Sequence, residues 1–226
     1  MKKIANYIRL IIIVTMSSLL FEGCELIGLD FQEPFEYDYE VGMYSNETNM
    51  TAWEFIQSRP DLFSLLQEGI EYAGLEEEYV QTDRTYLLLT DDAFNSTDED
   101  DYSYFMTHTF PDPNDTSITI IPESLTNYAV EQVKELLLYH IVEGDWTWDN
   151  LPASSTWYDT RASADTAKVN MYLLKDRNPN IVFNNFEGHY KLELKARTTN
   201  LLTSNESYMH VMESWLDRPT KNQIGD

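Results

Sequence analysis

The chain reads Tyr86-Leu-Leu-Leu-Thr-Asp-Asp-Ala-Phe94 in one short segment, Leu136-Leu-Leu-Tyr-His-Ile-Val-Glu-Gly144 in a second and Asn205-Glu-Ser-Tyr-Met-His-Val-Met212 in a third. Each segment is an apolar run that is interrupted by polar residues. Such runs are typical of buried strands and helices. The three segments together therefore predict the framework of one core, and the signals around them show how that core is built.

Helix signals precede the first segment and lead into the second. Thr51-Ala-Trp-Glu54 fits a capping box, and Pro60 suits the first turn of a second helix because its missing N–H is harmless there. Gly74 is a typical helix stop. Another helix is predicted from about Ser124 to Val142, ended by Gly144. Between Pro60 and Gly74, the apolar residues at helical spacing are Leu62, Leu65, Leu66, Ile70 and Ala73.

Strand signals dominate the second half of the chain. Thr85 to Leu89 predicts a strand buried on both faces, with Thr90 capping the helix that follows. A loop excursion comes next, in which Ile118 to Ile121 suits a strand. The strands predicted after Gly144 are Lys168 to Leu174, Asn180 to Phe183, Tyr190 to Ala196 and Tyr208 to Trp215. Helices first and strands later indicate the α+β class.

The three segments, in this order, resemble the signature of the fasciclin-like family. The residues that match its structural motif are Thr90, Asp92, Phe94, His140, Asn205 and His210. The resemblance covers residues 51–219 and leaves a tail at 220–226. It implies N-terminal helices packed on a wedge-shaped β-sandwich, extracellular adhesion through protein or glycan contacts, and no known reaction.

The chain departs from the family pattern in two places. The stretch between Phe94 and Leu136 is longer than usual, so an insertion is predicted at about 96–122. The third segment has Glu206-Ser207-Tyr208 where a glycine turn is usual. Both departures leave the predicted fold in place and loosen any transfer of binding function.

The first 23 residues have the layout of a bacterial lipoprotein signal peptide. Lys2, Lys3 and Arg9 precede an apolar centre, and Cys24 follows Gly23. Cys24 is the sole cysteine of the 226 residues, so it is expected to carry the lipid. Residues 24–50 are predicted to be an acidic linker containing aromatic residues. We therefore expect a lipid-anchored protein of a Gram-negative outer membrane, on the cell surface.

The formal net charge of −24 excludes nucleic acid as a probable ligand. No cofactor is expected. The expected partners are the membrane, through the lipid anchor, and an extracellular or surface protein or polysaccharide. Four dispersed histidines, no nucleophile elbow and no phosphate loop favour a protein that is not an enzyme.

Two groups of residues are candidate contacts. Tyr139 and His140 form the dipeptide linked to adhesion in some family members; His140 is expected to be a core residue bonded to a backbone carbonyl, and Tyr139 to be partly exposed. If residues 145–149 are extended, Trp146 and Trp148 project from one face and offer a platform for a sugar, against the alternative that one indole is core. Trp157 and Tyr158 add to this second group.

The tryptophan group supports an alternative function, a glycan-binding accessory lipoprotein of a polysaccharide-uptake system. Two acidic stretches are candidate calcium sites: Asp98 to Asp101, and a loop with Asp112, Asn114, Thr116 and Glu123. In that loop Ser117 replaces the required glycine and Pro122 lies inside it, so no metal site is predicted.

Overall fold

The computed structural model describes residues 45–97, 102–175 and 179–225. The signal peptide, Cys24, most of the predicted linker and Asp98 to Asp101 lie outside the described residues. The described segments belong to one compact unit, Ser45–Asp226.

Two helices joined at a proline open this unit, as the sequence predicts. Thr51 Oγ1 accepts a hydrogen bond from the N–H of Glu54 at 3.2 Å, and the N–H of Thr51 donates to Glu54 Oε2 at 2.8 Å. This capping box starts α1, and Pro60 occupies the first turn of α2. Gly74 ends α2 with φ of 63°, a left-handed conformation that glycine adopts without a steric penalty.

The α-helices are α1 (Ala52–Ser58), α2 (Pro60–Ala73), α3 (Asp91–Asn95), α4 (Tyr104–Thr107), α5 (Val130–Tyr139) and α6 (Lys221–Ile224). Glu76–Val80 and Leu125–Asn127 form short 3-10 helices. The strands are β1 (Arg84–Leu89), β2 (Phe110–Pro111), β3 (Thr119–Ile120), β4 (Ile141–Glu143), β5 (Thr156–Asp159), β6 (Lys168–Leu174), β7 (Asn180–Phe183), β8 (Leu194–Lys195), β9 (Thr198–Leu202) and β10 (Tyr208–Met212).

The strands form two four-stranded sheets and one small hairpin. The first sheet has the order β4-β1-β10-β9, with β1 and β10 parallel at its centre and Leu87 opposite His210. The second sheet, β5-β6-β7-β8, is antiparallel throughout. The rings of Phe183 in β7 and His210 in β10 lie 5.9 Å apart, so side chains of the two sheets meet in one core. The predicted α+β class is confirmed.

The prediction for the second signature segment is wrong at both ends of its helix. A 3-10 turn replaces the start, α5 ends at Tyr139, and Ile141–Glu143 is a strand paired with β1. The N–H of Leu87 donates to the carbonyl of His140 at 2.9 Å, which draws the chain onto the sheet edge. Two β-branched residues, Ile141 and Val142, suit that extended course.

The strand predicted over Tyr190 to Ala196 is reduced to Leu194–Lys195. Glu193 has φ of 53°, which breaks the extended course, and Tyr190 stacks on Trp215 with ring centroids 4.8 Å apart instead of pairing in the sheet. The predicted strand at Tyr208 likewise ends early, at Met212. Within the insertion, the predicted strand is present as β3, which pairs with β2 in a hairpin.

Candidate functional site

The Tyr139-His140 dipeptide holds the chain segment that leaves the last strand. His140 is buried, its Nδ1 lies 2.9 Å from the carbonyl oxygen of Leu136, and its Nε2 accepts from the N–H of Leu216 at 3.0 Å. An accepting Nε2 places the ring proton on Nδ1, so the imidazole is neutral. Burial lowers the pKa of His140 to about 4. The structural role predicted for His140 is confirmed.

Tyr139 is also part of this attachment, and the prediction that it is partly exposed is wrong. Its side chain is 1% exposed. Its hydroxyl lies 2.9 Å from the carbonyl oxygen of Lys168 and 3.2 Å from that of Asp217, and it accepts from Asn184 Nδ2 at 3.1 Å. Both residues of the dipeptide therefore tie α5 to residues 216–217, and Tyr139 has no surface to offer a partner.

Most of the other signature residues serve the core. Phe94 is buried against Phe105, with ring centroids 6.0 Å apart. Asn205 Nδ2 donates to the carbonyl of Val80 at 2.8 Å. His210 lies between the carbonyl of Trp146 and the N–H of Asn200, and burial lowers its pKa to about 4. Asp92 is exposed.

Asp91, the acid next to the signature residue Asp92, is the one that bonds to another helix. Asp91 Oδ1 accepts from the N–H of Leu65 at 2.8 Å, and its second oxygen accepts from the hydroxyl of Ser64. These bonds join α3 to α2. No signal in the sequence predicts this, because two adjacent acids at a helix start are equivalent until the packing partner is known.

Thr90 stands at the N-cap of α3, but its hydroxyl caps nothing. The side chain is buried, and within the described residues its Oγ1 has no hydrogen-bond partner. A buried hydroxyl without a partner destabilises the folded state. The signature threonine is thus a packing residue at this position.

Replacing Thr90 with Val is expected to raise the free energy of unfolding by about 1 kcal/mol, because the unpartnered hydroxyl is removed and the shape is kept. Urea unfolding followed by circular dichroism measures it. Thr51→Val is the matched control: its hydroxyl does cap a helix, so a loss of about 1 kcal/mol is expected. A loss of that size in Thr90→Val would contradict the assignment.

The tryptophan group does not form a shared platform. The extended course assumed for residues 145–149 is wrong, since residues 148–150 form a turn. Trp146 packs on Tyr158 with ring centroids 4.2 Å apart, and its Nε1 donates to the carbonyl of Glu143 at 2.7 Å. Trp148 is exposed. Trp157 lies on the other face of β5 from the buried Tyr158 and contacts Phe186.

Several titratable residues of the described segments take part in local hydrogen bonds. No group of three or more His, Cys, Asp or Glu residues there could hold a metal ion. Asp112 Oδ1 accepts from the N–H of Asn114 at 2.7 Å, and Asp115 Oδ1 accepts from that of Ser117 at 3.0 Å, so these carboxylates close turns. His108 Nδ1 lies 3.1 Å from the carbonyl oxygen of Tyr104, and His189 Nε2 accepts from the N–H of Asp217 at 3.1 Å.

The insertion carries an open apolar surface, which we call the insertion surface. A groove of about 510 Å³ is lined by Phe110, Pro111, Pro113, Ile120, Ile121, Pro122, Glu123 and Asn127. A second groove of about 420 Å³ is lined by Asn95, Thr97, Ser103, Phe105, Met106, Ile121, Pro122 and Glu123. The two grooves share the ridge Ile121-Pro122-Glu123.

Large aliphatic side chains are unusually exposed on this surface. The exposed fractions are 52% for Ile118, 54% for Ile121 and 44% for Met106. Contiguous exposed apolar surface with a polar rim is characteristic of interaction sites. This surface lies in the stretch that the sequence predicts to be an insertion, and its apolar character was not predicted from the sequence.

The insertion surface lies in a stretch of chain without basic residues. Between Arg84 and Lys134 the sequence has no Lys or Arg. Asp115 and Glu123 are exposed and Asp112 is half-buried around the hairpin and the ridge. Asp98 to Asp101 belong to the same stretch of sequence, outside the described residues. The surface therefore combines apolar contact area with an acidic surround.

None of the described helices has the length and apolar character needed to cross a membrane.

No protein-family model matches the sequence. No curated protein matches it either. A solved structure of a FAS1 domain pair from the insect cell adhesion molecule Fasciclin I is similar, with 14% sequence identity and a TM-score of 0.48. The match covers 74% of this chain and 51% of that chain, so this chain spans about half the length of the insect structure. The similarity concerns the fold alone.

Proposed function

We propose that this chain presents a fasciclin-like domain that acts as a non-catalytic adhesion or scaffolding module and binds another protein. The observation that carries the proposal is the insertion surface. Two adjoining grooves and several exposed aliphatic side chains lie together on one inserted segment. Leaving this area in water costs about 25 cal/mol for each Å² of apolar surface, and a protein partner would recover that free energy.

A protein partner fits this surface better than a sugar does. The large exposed apolar side chains of the hairpin, the ridge and α4 are Ile118, Ile120, Ile121 and Met106, none of which is aromatic. Sugars are usually held by aromatic faces beside hydrogen-bonding groups. The sugar platform requires the indole of Trp146. This indole packs on Tyr158, and its N–H donates a hydrogen bond to the carbonyl of Glu143. The signature dipeptide, Tyr139 and His140, is likewise buried in the core. Binding through the insertion surface leaves all of these contacts intact.

A lipid on Cys24 is the proposed anchor, with the domain displayed at the outer membrane of a Gram-negative cell. The support is the sequence of residues 1–24, which lie outside the described part. Processing should be blocked by globomycin, and Cys24→Ser should release the protein from the membrane fraction. Unchanged membrane association of Cys24→Ser would contradict this anchor without touching the binding proposal.

Site-specific photo-cross-linking in cells that produce this protein tests the binding proposal. A benzophenone amino acid at position 120 is expected to give one defined protein adduct that is lost when Ile118→Ser and Ile121→Ser are added. The matched control is position 192, where Leu192 is 58% exposed and outside the insertion surface. Equal labelling from both positions would contradict the proposal. So would specific saccharide binding on a glycan array that is lost in Trp148→Ala.

A further inference from the structure

We infer that the insertion surface binds an extended, basic peptide segment of a partner protein whose apolar side chains alternate with its charges. The inference rests on the proposed function and specifies the chemistry of the partner. Three observations support it: the charge around the surface, the shape of its two grooves and the free edge of its hairpin.

The negative charge around the insertion surface favours a basic partner. Asp112, Asp115 and Glu123 lie on the hairpin and the ridge beside the apolar area, and no Lys or Arg lines either groove. Complementary charge around an apolar contact raises the rate of association and rejects acidic partners. A second copy of the chain is disfavoured because each copy carries a net charge of −24. Residues 25–44 of this chain, which contain acids and no Lys or Arg, are disfavoured for the same reason.

The grooves accept side chains from one segment. They adjoin at Ile121, Pro122 and Glu123, which line both grooves, and each exceeds 400 Å³. A segment that crosses the ridge can place one apolar side chain in each groove while its cationic groups meet Glu123. The second groove also contains Ser103, which is buried and whose hydroxyl has no hydrogen-bond partner within the described residues.

The hairpin favours an extended segment. β3 pairs with β2 alone within the described part of the chain, so its outer edge is open to another strand. Strand addition at such an edge supplies backbone hydrogen bonds, and alternate side chains then enter pockets. In an extended segment that alternates Lys and Leu, every leucine projects from one face and every lysine from the other. That pattern matches an apolar floor with an acidic rim.

Three short synthetic peptides test the inference by isothermal titration calorimetry against residues 25–226. They alternate Lys with Leu, Lys with Ser, or Glu with Leu. The Lys-Leu peptide is expected to bind at least about tenfold more tightly than either of the others, because only it satisfies both the charge and the apolar surface. Its affinity is expected to fall as salt screens the charges. Equal affinity for the Lys-Ser peptide would show attraction by net charge alone and overturn the inference, as would preference for the Glu-Leu peptide.

Matched variants locate the binding. Asp112→Asn, Asp115→Asn and Glu123→Gln together are expected to weaken Lys-Leu binding about tenfold. Glu47→Gln, Glu77→Gln and Glu187→Gln remove the same charge from exposed positions elsewhere and should have little effect. The Asn substitutions keep the side-chain oxygens that close the turns at Asp112 and Asp115. Equal losses in the two triple variants would overturn the inference.

The apolar contribution has its own pair of variants. Ile118→Ser with Ile121→Ser should weaken binding about tenfold, and Leu192→Ser should not. If residues 45–226 bind the Lys-Leu peptide much more tightly than residues 25–226, the chain's own N-terminal segment occupies the surface and the inference is wrong. If cross-linking at position 120 identifies a partner with an acidic contact segment, the inference fails and the proposed function stands. If no adduct forms there, the proposed function itself fails.

Discussion

Replacing His140 with Ala is expected to lower the free energy of unfolding by about 4 kcal/mol. The ring is fully buried between α5 and the segment after β10. Its removal leaves a cavity, and it also leaves the N–H of Leu216 and the carbonyl of Leu136 without their present partner. A loss of this size is a large part of the stability of an ordinary domain. Urea unfolding at pH 7.5 measures it.

His108→Ala is the control for this substitution. His108 also bonds a backbone carbonyl, but its ring is only partly buried, so a loss of about 1 kcal/mol is expected. Similar losses for the two variants would contradict the role assigned to His140. A His140→Ala protein of unchanged stability would contradict the assignment of the dipeptide to the core.

The free energy of unfolding is expected to decrease by about 2 kcal/mol for each of His140 and His210 as the pH falls from 6.5 to 5. Burial lowers the pKa of each to about 4, whereas in the unfolded chain both titrate near 6.5. Below pH 6.5 the unfolded state therefore takes up protons that the folded state does not. The stabilising contribution is fully present above 6.5 and is lost as the pH falls towards 4.

Glu54 responds to pH in a different window from these histidines. The pKa of Glu54 is lowered from 4.5 by its hydrogen bonds to Thr51, so its contribution is lost only at lower pH. Burial also lowers the pKa values of His108 and His189, which act in the same direction as His140 and His210. Urea midpoints at pH 7.5, 6.5 and 5 test the prediction. A His140→Gln variant should show a smaller slope. A wild-type urea midpoint that stays constant between pH 6.5 and pH 5 would contradict the predicted decrease in the free energy of unfolding.

Local signals in the sequence predicted local structure well. The capping box at Thr51, the helix start at Pro60 and the left-handed Gly74 each depend on neighbours within a few residues, and all are present. The burial of His140 followed from its place on an apolar helix face. In these cases the sequence contains both the residue and its immediate partner.

Long-range partners explain the failures. Tyr139 is buried because its hydroxyl meets Lys168 and Asp217, which are far along the chain. The strand at Ile141 forms because it pairs with the edge of β1. The helical spacing of apolar residues in the sequence cannot show this pairing. Trp146, in the loop after β4, is held by Tyr158, which lies on β5. The insertion was predicted from the length of the chain between Phe94 and Leu136, but the apolar surface there depends on how the hairpin folds.

We propose that the signature dipeptide holds the fold while the insertion surface binds the partner. Cross-linking from position 120, normalised to the amount of folded protein, tests it in two variants. Tyr139→Phe removes one buried hydroxyl and leaves the insertion surface unchanged, whereas Ile118→Ser with Ile121→Ser changes only that surface. We predict that the adduct persists in Tyr139→Phe and disappears in the double variant. Loss of the adduct in folded Tyr139→Phe, with retention in the double variant, would contradict both the structural role of the dipeptide and binding by the insertion surface.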